Sequence, residues 1–276
     1  MTINLKQIAL KKNNRIRKFK VIKTSEWLET EYYKYLRAMS NFIKQRFLKL
    51  AIPGMKADKN KWQDESYSAK LDRLINQITK ETETSYSKVN MTRFVKQMIL
   101  KTDKYQFTKF KSAADYGFGL DISDLPDFKG YKQFINSSIE KNISEIKYLR
   151  TETLHRLEMS LRTSIQKGKS ISQVTNEIMA TGQITHKRAA LIARNEIKNL
   201  TSALNAKRAM NAGIELYEWQ NAGDERVRGN PHGHYPKAKP SHWIMEGLYC
   251  RYDNDNVYSP DKGKTWKKRT ALMPKG

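Results

Sequence analysis

As far as Ala212, apolar side chains recur every three or four residues along most of the chain, the period of a helix with one buried face. Leu28, Tyr32, Tyr35, Leu36, Met39, Phe42, Ile43, Phe47 and Leu50 predict a helix over 25–52, with Ser25 as its N-cap and Pro53-Gly54 as its stop. Tyr67, Leu71, Leu74, Ile75 and Ile78 predict a second helix, and Met91, Phe94, Val95, Met98 and Ile99 a third. All three stripes are expected to face a core. Residues 112–127 break the period, and Gly117, Gly119 and Pro126 punctuate them as a loop. The Gly-x-Gly of this loop lacks the strand before it, the third glycine and the helix after it, so a dinucleotide site is rejected. From Phe128, the stripe Phe134, Ile135, Ile139, Ile143, Ile146, Leu149, Leu154, Leu157, Leu161 and Ile165 predicts a long helix to Lys167-Gly168, with Asn142 its candidate break. Ser170 then caps a short helix through Ile171, Val174 and Ile178, closed by Gly182. A further helix from about His186 to Ala212 buries Ala193, Ile197, Leu200 and Leu204 and ends at Gly213.

The pattern changes after Gly213. Ile214 to Trp219 and Leu248 to Tyr252 predict strands, Val257-Tyr258 a third, and Asn221 to Pro240 form a loop rich in Gly, Pro and Asn. The fold class expected is α+β: a mainly α-helical body with a small mixed α/β module at the C-terminal end. The divisions expected are a basic N-terminal arm (1–24), a helical body (25–140), a motif-bearing region (141–260) and a basic tail (261–276). No internal repeat of fixed period is evident.

Composition narrows the function classes. The 276 residues carry a formal net charge of +24, with 38% apolar and 29% charged residues. One cysteine, Cys250, excludes an internal disulfide framework and a Cys-rich zinc module. No apolar run approaches a membrane span of about 18 residues, and Met1 to Lys23 lacks the apolar stretch of a secretory signal. A reducing cytosolic setting fits this cysteine usage. The charge points to a polyanion, with nucleic acid first, because Lys and Arg release counterions from a phosphate backbone. It is uneven: residues 1–50 carry a net +10 and residues 201–250 only +1. Lys6 to Lys23 holds eight basic residues and no acid, densest at Lys11, Lys12, Arg15, Arg17, Lys18 and Lys20. Two readings stand open: a solvated, mobile arm, or a phosphate-binding arm. Nothing in the chain marks a base-reading module.

Candidate chemistry concentrates in residues 188–253. A helix carrying Ala193-Arg194-Asn195-Glu196 ends at Gly213; a strand ends at Trp219; Asp224-x-Arg226-Val227-Arg228 follows; His242 stands five residues before Gly247. This succession resembles the Mu-F-like phage head morphogenesis proteins, also called minor head or minor capsid proteins. Asn195 replaces the family's usual Thr. Thirteen residues separate Arg228 from His242, where many family members place the histidine soon after the arginine. His232 lies nearer, but His242 keeps the family's spacing to Gly247. The resemblance extends loosely back to about Asn142, including the Gly168-Lys169-Ser170 turn, and residues 1–140 carry no family motif.

The resemblance implies a structural virion protein: a minor head protein of head morphogenesis, associated with the portal protein and with capsid or scaffold components, touching packaged double-stranded DNA non-specifically, and assisting genome packaging or ejection. It would reside inside the capsid, after assembly in the host cytoplasm, with no membrane and no cofactor. Arg194, Glu196, Trp219, Asp224, Arg228, His242 and Gly247 would then be structural or docking residues, with ion pairs holding loop to helix around Trp219. The alternative is a nuclease or toxin-like effector, with His242 as general acid or base and Arg228 stabilising charge. Neither metal-ligand spacing nor a nucleophile elbow supports it. A third reading is a cytosolic nucleic-acid-binding protein unrelated to capsids. His232, His234, His242 and Cys250 are ligands of acceptable type for zinc, in a spacing that matches no established pattern. His155 and His186 lie within helical patterns as ordinary residues.

Overall fold

The computed structural model describes residues 4–20, 22–57 and 65–274. Its helices are α1 (Leu5–Lys11), α2 (Glu26–Arg46), α3 (Ile52–Ala57), α4 (Glu65–Ser85), α5 (Lys88–Phe118), α6 (Tyr131–Gln166) and α7 (Ile171–Asn211). Four short strands follow: β1 (Leu216–Glu218), β2 (Tyr249–Arg251), β3 (Val257–Ser259) and β4 (Lys267–Lys268). The expected α+β class, helical body plus small C-terminal module, holds.

The chain divides into two compact units. One is formed by residues 22–109 and 130–204, the other by 1–21, 110–129 and 205–276. These limits run across the linear divisions expected at 24, 140 and 260.

In the helical unit, α2 packs on α4 and α6. Leu28, Tyr32, Leu36, Met39 and Ile43 are buried, as their spacing predicts. Tyr35 stacks on Phe94 with ring centroids 3.8 Å apart, and Tyr86 meets both Tyr35 and Phe42 edge-on. Ser25 takes the N-cap position with extended backbone, but its side chain makes no capping bond. The second stripe buries Leu71, Ile75 and Ile78 on α4; the side chain of Tyr67 lies outside the described residues.

Three expected breaks are absent. Pro53-Gly54 does not stop its helix: Phe47–Ala51 form a π-helical turn and α3 continues to Ala57. Proline cannot donate a backbone bond and its ring crowds the carbonyl four residues earlier, here that of Lys49 within the widened turn. Asn142 does not break α6, which runs through it from Tyr131 to Gln166; its amide donates to the Ser138 carbonyl at 3.0 Å. Gly182 does not close a short helix: α7 runs unbroken for 41 residues, about 60 Å at 1.5 Å per residue. Its glycine is a point of close approach, where an added Cβ would lie 2.6 Å from Lys44 Cδ. The expected cap of this helix is present as a reciprocal pair: Ser170 N–H donates to Gln173 Oε1 (2.8 Å) and Gln173 N–H to Ser170 Oγ (3.3 Å).

In the second unit the strands form one antiparallel meander, β1-β2-β3-β4, with Tyr217 opposite Cys250 and Cys250 opposite Tyr258. β4 lies where a basic tail was expected; Tyr258 pairs with Lys267. The loop expected over 112–127 begins only at Gly119, since α5 continues to Phe118. Ala113 and Ala114 are buried, and an added Cβ on Gly117 would meet Phe19 Cδ2 at 3.5 Å. Small residues that look like punctuation in the sequence are here a seat for the N-terminal segment.

Candidate functional site

The motif residues on α7 alternate between solvent and core. Ala193, Glu196 and Ile197 are buried; Arg194 and Asn195 are exposed. Glu196 ends a chain of hydrogen bonds. Tyr32 donates its hydroxyl to Asn142 Oδ1 (2.9 Å), and Asn142 Nδ2 donates to Glu196 Oε2 (3.1 Å) as well as to the Ser138 carbonyl. Lys141 Nζ stands 3.7 Å from Glu196 Oε1. Burial raises the Glu196 carboxyl above its usual range, Lys141 opposes that, and nearby Glu145 adds to it. Burial likewise raises Tyr32, whose hydroxyl therefore acts as a donor. Beside Glu196 opens a groove of about 470 Å³ lined by Phe134, Ser137, Lys141, Leu200 and Ala203. Arg194 reaches Glu29 at 3.8 Å, in a second, more polar hollow with Lys23 and Lys198.

The motif residues of the second unit meet through their backbones. The Trp219 carbonyl accepts from Gly247 N–H (2.9 Å), and Trp219 N–H donates to the Leu248 carbonyl (2.8 Å). The Arg228 carbonyl accepts from both His242 N–H (2.9 Å) and Trp243 N–H (3.1 Å). The His242 ring lies 5.8 Å from the Trp219 ring, half-buried, and burial together with the Arg228 charge lowers its pKa.

This geometry explains the thirteen-residue insertion. Gly229 and Ser241 touch: a Cβ on Gly229, at φ +80°, would lie 1.9 Å from Ser241 Oγ. With the Arg228–His242 bond, the ends of the segment are pinned together. The insertion is therefore a closed excursion, and Arg228 and His242 meet at its base. Inside it, buried Asn230 donates to the Asp224 carbonyl (3.0 Å), and the Arg228 guanidinium donates to the Lys239 carbonyl (2.8 Å).

Within each compact unit the charged motif residues have local partners. Asp224 is held below the usual carboxylate range by Arg226, whose Nη2 lies 2.6 Å away. Glu196 is engaged by Asn142 and Lys141, and Arg194 by Glu29. The Arg228 guanidinium donates to the Lys239 carbonyl, and the His242 ring lies against Trp219 with the Arg228 charge near it. His232 and His234 are exposed in the excursion, with His234 3.2 Å from Glu225, while Cys250 is buried in the sheet. Among the described residues no group of three or more His, Cys, Asp or Glu is placed to hold a metal ion.

The basic N-terminal segment is docked, which corrects the mobile-arm reading for its described residues. Leu5 N–H donates to the Ala212 carbonyl (3.0 Å), Asn14 Nδ2 to the carbonyls of Phe118 and Gly119 (both 3.0 Å), and Arg17 N–H to the Gly117 carbonyl (2.8 Å). The Phe19 ring lies 5.3 Å from Phe110 and 6.0 Å from Phe118. Asn14, Ile16 and Phe19 face inward, while Arg15, Arg17, Lys18 and Lys20 face outward. Lys20 Nζ sits 3.8 Å from the Tyr116 ring centroid and the Arg17 guanidinium 5.3 Å. Lys18 pairs with Glu218 at 2.5 Å, and Lys11, Lys12 and Arg15 are exposed.

Two features escaped the sequence reading. Asn142 is the hub of the Glu196 network; its signal was a polar residue on an apolar stripe. Asp261 organises the β3–β4 hairpin, accepting from Ser259 Oγ (2.7 Å), Thr265 N–H (2.8 Å) and Thr265 Oγ1 (2.6 Å). Its signal is the spacing Ser259-x-Asp261-x-Gly263-x-Thr265-Trp266.

Residues 155–263 match the family described as Phage Mu protein F like protein. The resemblance drawn from the sequence therefore holds. All of the motif residues from Arg194 to Gly247 lie inside the match, and the basic segment lies outside it. An uncharacterised protein of Haemophilus influenzae is 26% identical over 279 residues, covering 99% of this chain and 59% of the relative. The chain thus spans less than two thirds of that relative's length. No solved structure matches. No described helix is long and apolar enough to cross a membrane.

Proposed function

We propose that this protein is a phage minor head protein acting in head morphogenesis. Its Mu F-like region docks on the portal protein and on capsid or scaffold components, and its N-terminal segment faces packaged double-stranded DNA. The observation that carries this reading is the family match over 155–263, which encloses the Trp219–Arg228–His242–Gly247 junction. The junction buries few charges and anchors a loop, as suits a docking element. The docked segment suits non-specific phosphate contact, because Lys11, Lys12, Arg15, Arg17 and Lys20 project from a held backbone. The protein belongs in the particle interior after assembly in the host cytoplasm, and assists packaging or ejection of the genome.

Mass spectrometry of purified procapsids and virions tests the assignment: the protein is expected in the particles, and absence from both overturns it. DNA contact is tested separately by filter binding across salt concentrations. Each neutralised phosphate contributes about 0.9 to the slope of log affinity against log salt on duplex DNA. Replacing Lys11, Lys12, Arg15, Arg17 and Lys20 with Gln is expected to lower the slope by up to about 4.5. An unchanged slope removes this segment from the DNA contact.

A further inference from the structure

The groove beside Glu196, a motif residue on α7, is built like a receptor for a cation. Its floor and walls are largely apolar, from Phe134, Leu200 and Ala203, with Ser137, Ser138 and Asn199 at intervals. The Glu196 side chain retains only 8% of its exposure, yet it lines this open groove. One carboxylate oxygen is fixed by Asn142, itself fixed by Tyr32 and the Ser138 carbonyl. The other, Oε1, has the Lys141 ammonium at 3.7 Å, on a side chain that keeps 57% exposure. That is beyond hydrogen-bond distance, and a long exposed lysine is readily displaced. A buried carboxylate is costly unless it is paired and hydrogen-bonded. A planar guanidinium satisfies such an oxygen better than a distant ammonium, through its fork of N–H donors. The methylene stem of an arginine would lie along the apolar wall. The volume, about 470 Å³, falls within the range of ligand-binding clefts, roughly 300–1,000 Å³.

We infer that the groove between α6 and α7 receives an arginine side chain of a partner polypeptide, with the guanidinium seated on Glu196 Oε1 and Lys141 displaced toward solvent. The charge complementarity of one buried carboxylate at an apolar groove selects this occupant over an anion or an uncharged chain. The inference asks only for a partner with an exposed arginine, and its test does not depend on head assembly.

The test uses the full chain and three capped tripeptides, acetyl-Gly-X-Gly-amide with X arginine, lysine or norleucine, followed by NMR shift titration. The arginine peptide is expected to bind at least tenfold more tightly than the norleucine peptide and more tightly than the lysine peptide, shifting the Glu196 carboxyl carbon. Glu196→Gln is expected to lose at least tenfold of the arginine affinity while the thermal midpoint does not fall. Ser137→Trp, at an exposed position on the groove rim, keeps the carboxylate and the core and is expected to block the peptide, so the test survives a poorly folded Gln variant. Equal binding of arginine and norleucine peptides, or undiminished binding in the Trp variant, overturns the inference. Equal binding of arginine and lysine overturns the guanidinium assignment.

Discussion

The docked N-terminal segment makes its sharpest prediction at Phe19. Phe19→Ala removes a ring that packs on Phe110 and Phe118 and lies over Gly117. A fully buried Phe→Ala change costs about 3–5 kcal/mol. Phe19 is half-buried, so about 2–3 kcal/mol is the reasoned figure for undocking the segment. At 1.4 kcal/mol per factor of ten, that raises the population of the undocked segment roughly 30- to 140-fold. Native-state hydrogen exchange reads it directly: the Arg17 N–H, bonded to the Gly117 carbonyl at 2.8 Å, is expected to lose that factor of protection. Amides in the middle of α6 are expected to keep theirs, because they belong to the other compact unit. Undiminished protection at Arg17 would show that backbone bonds and Asn14 hold the segment without the ring. Simultaneous loss of protection in α6 would refute the treatment of this undocking as local.

The remaining predictions concern the two halves of the motif. Asn142→Leu leaves the Tyr32 hydroxyl and a Glu196 oxygen buried without their partner, and is expected to cost about 3–5 kcal/mol in urea denaturation. Glu196 and His242 are expected to give opposite pH dependences. The folded Glu196 pKa is raised, so the folded state holds more protons and stability falls as pH rises above 4.5; Glu196→Gln abolishes that fall. The folded His242 pKa is lowered, so the unfolded state binds more protons and stability falls as pH drops below 6.5; His242→Gln abolishes it, and urea titrations at several pH values check both. Gly229→Ala forces a Cβ into Ser241 at positive φ and is expected to cost about 2–4 kcal/mol, seen as lost exchange protection of the His242 and Trp243 amides. Gly223→Ala, also at positive φ but with open space around it, is the control and is expected to cost only about 1 kcal/mol.

The helical stripes were legible because burial on a helix demands one residue type at one period. Leu28, Tyr32, Leu36, Met39 and Ile43 therefore stand out without any knowledge of their partners. The same logic failed at Pro53, Asn142 and Gly182, residues judged as helix breakers by local propensity. The helix takes a widened turn before Pro53, carries Asn142 with its amide bonded to the turn above, and uses Gly182 where Lys44 passes close; local propensity is a weak prior that tertiary context overrides. β4 escaped because two exposed lysines carry no apolar alternation; their pairing with Val257 and Tyr258 is a backbone matter.

By itself, the sequence determined the fold class, the uneven charge and the resemblance to the Mu F-like family. Only the tertiary structure decided what the motif residues touch. It placed Glu196 in a network with Tyr32 and Asn142, and Trp219 beside His242. It also turned a presumed arm into a docked segment, through the Phe19 ring and four backbone carbonyls. The physical reason is the same in each case. Periodicity and charge are properties of a residue and its near neighbours, whereas a buried polar group must find its partner wherever the chain returns. Residues 142 and 196, or 17 and 117, become neighbours only after folding.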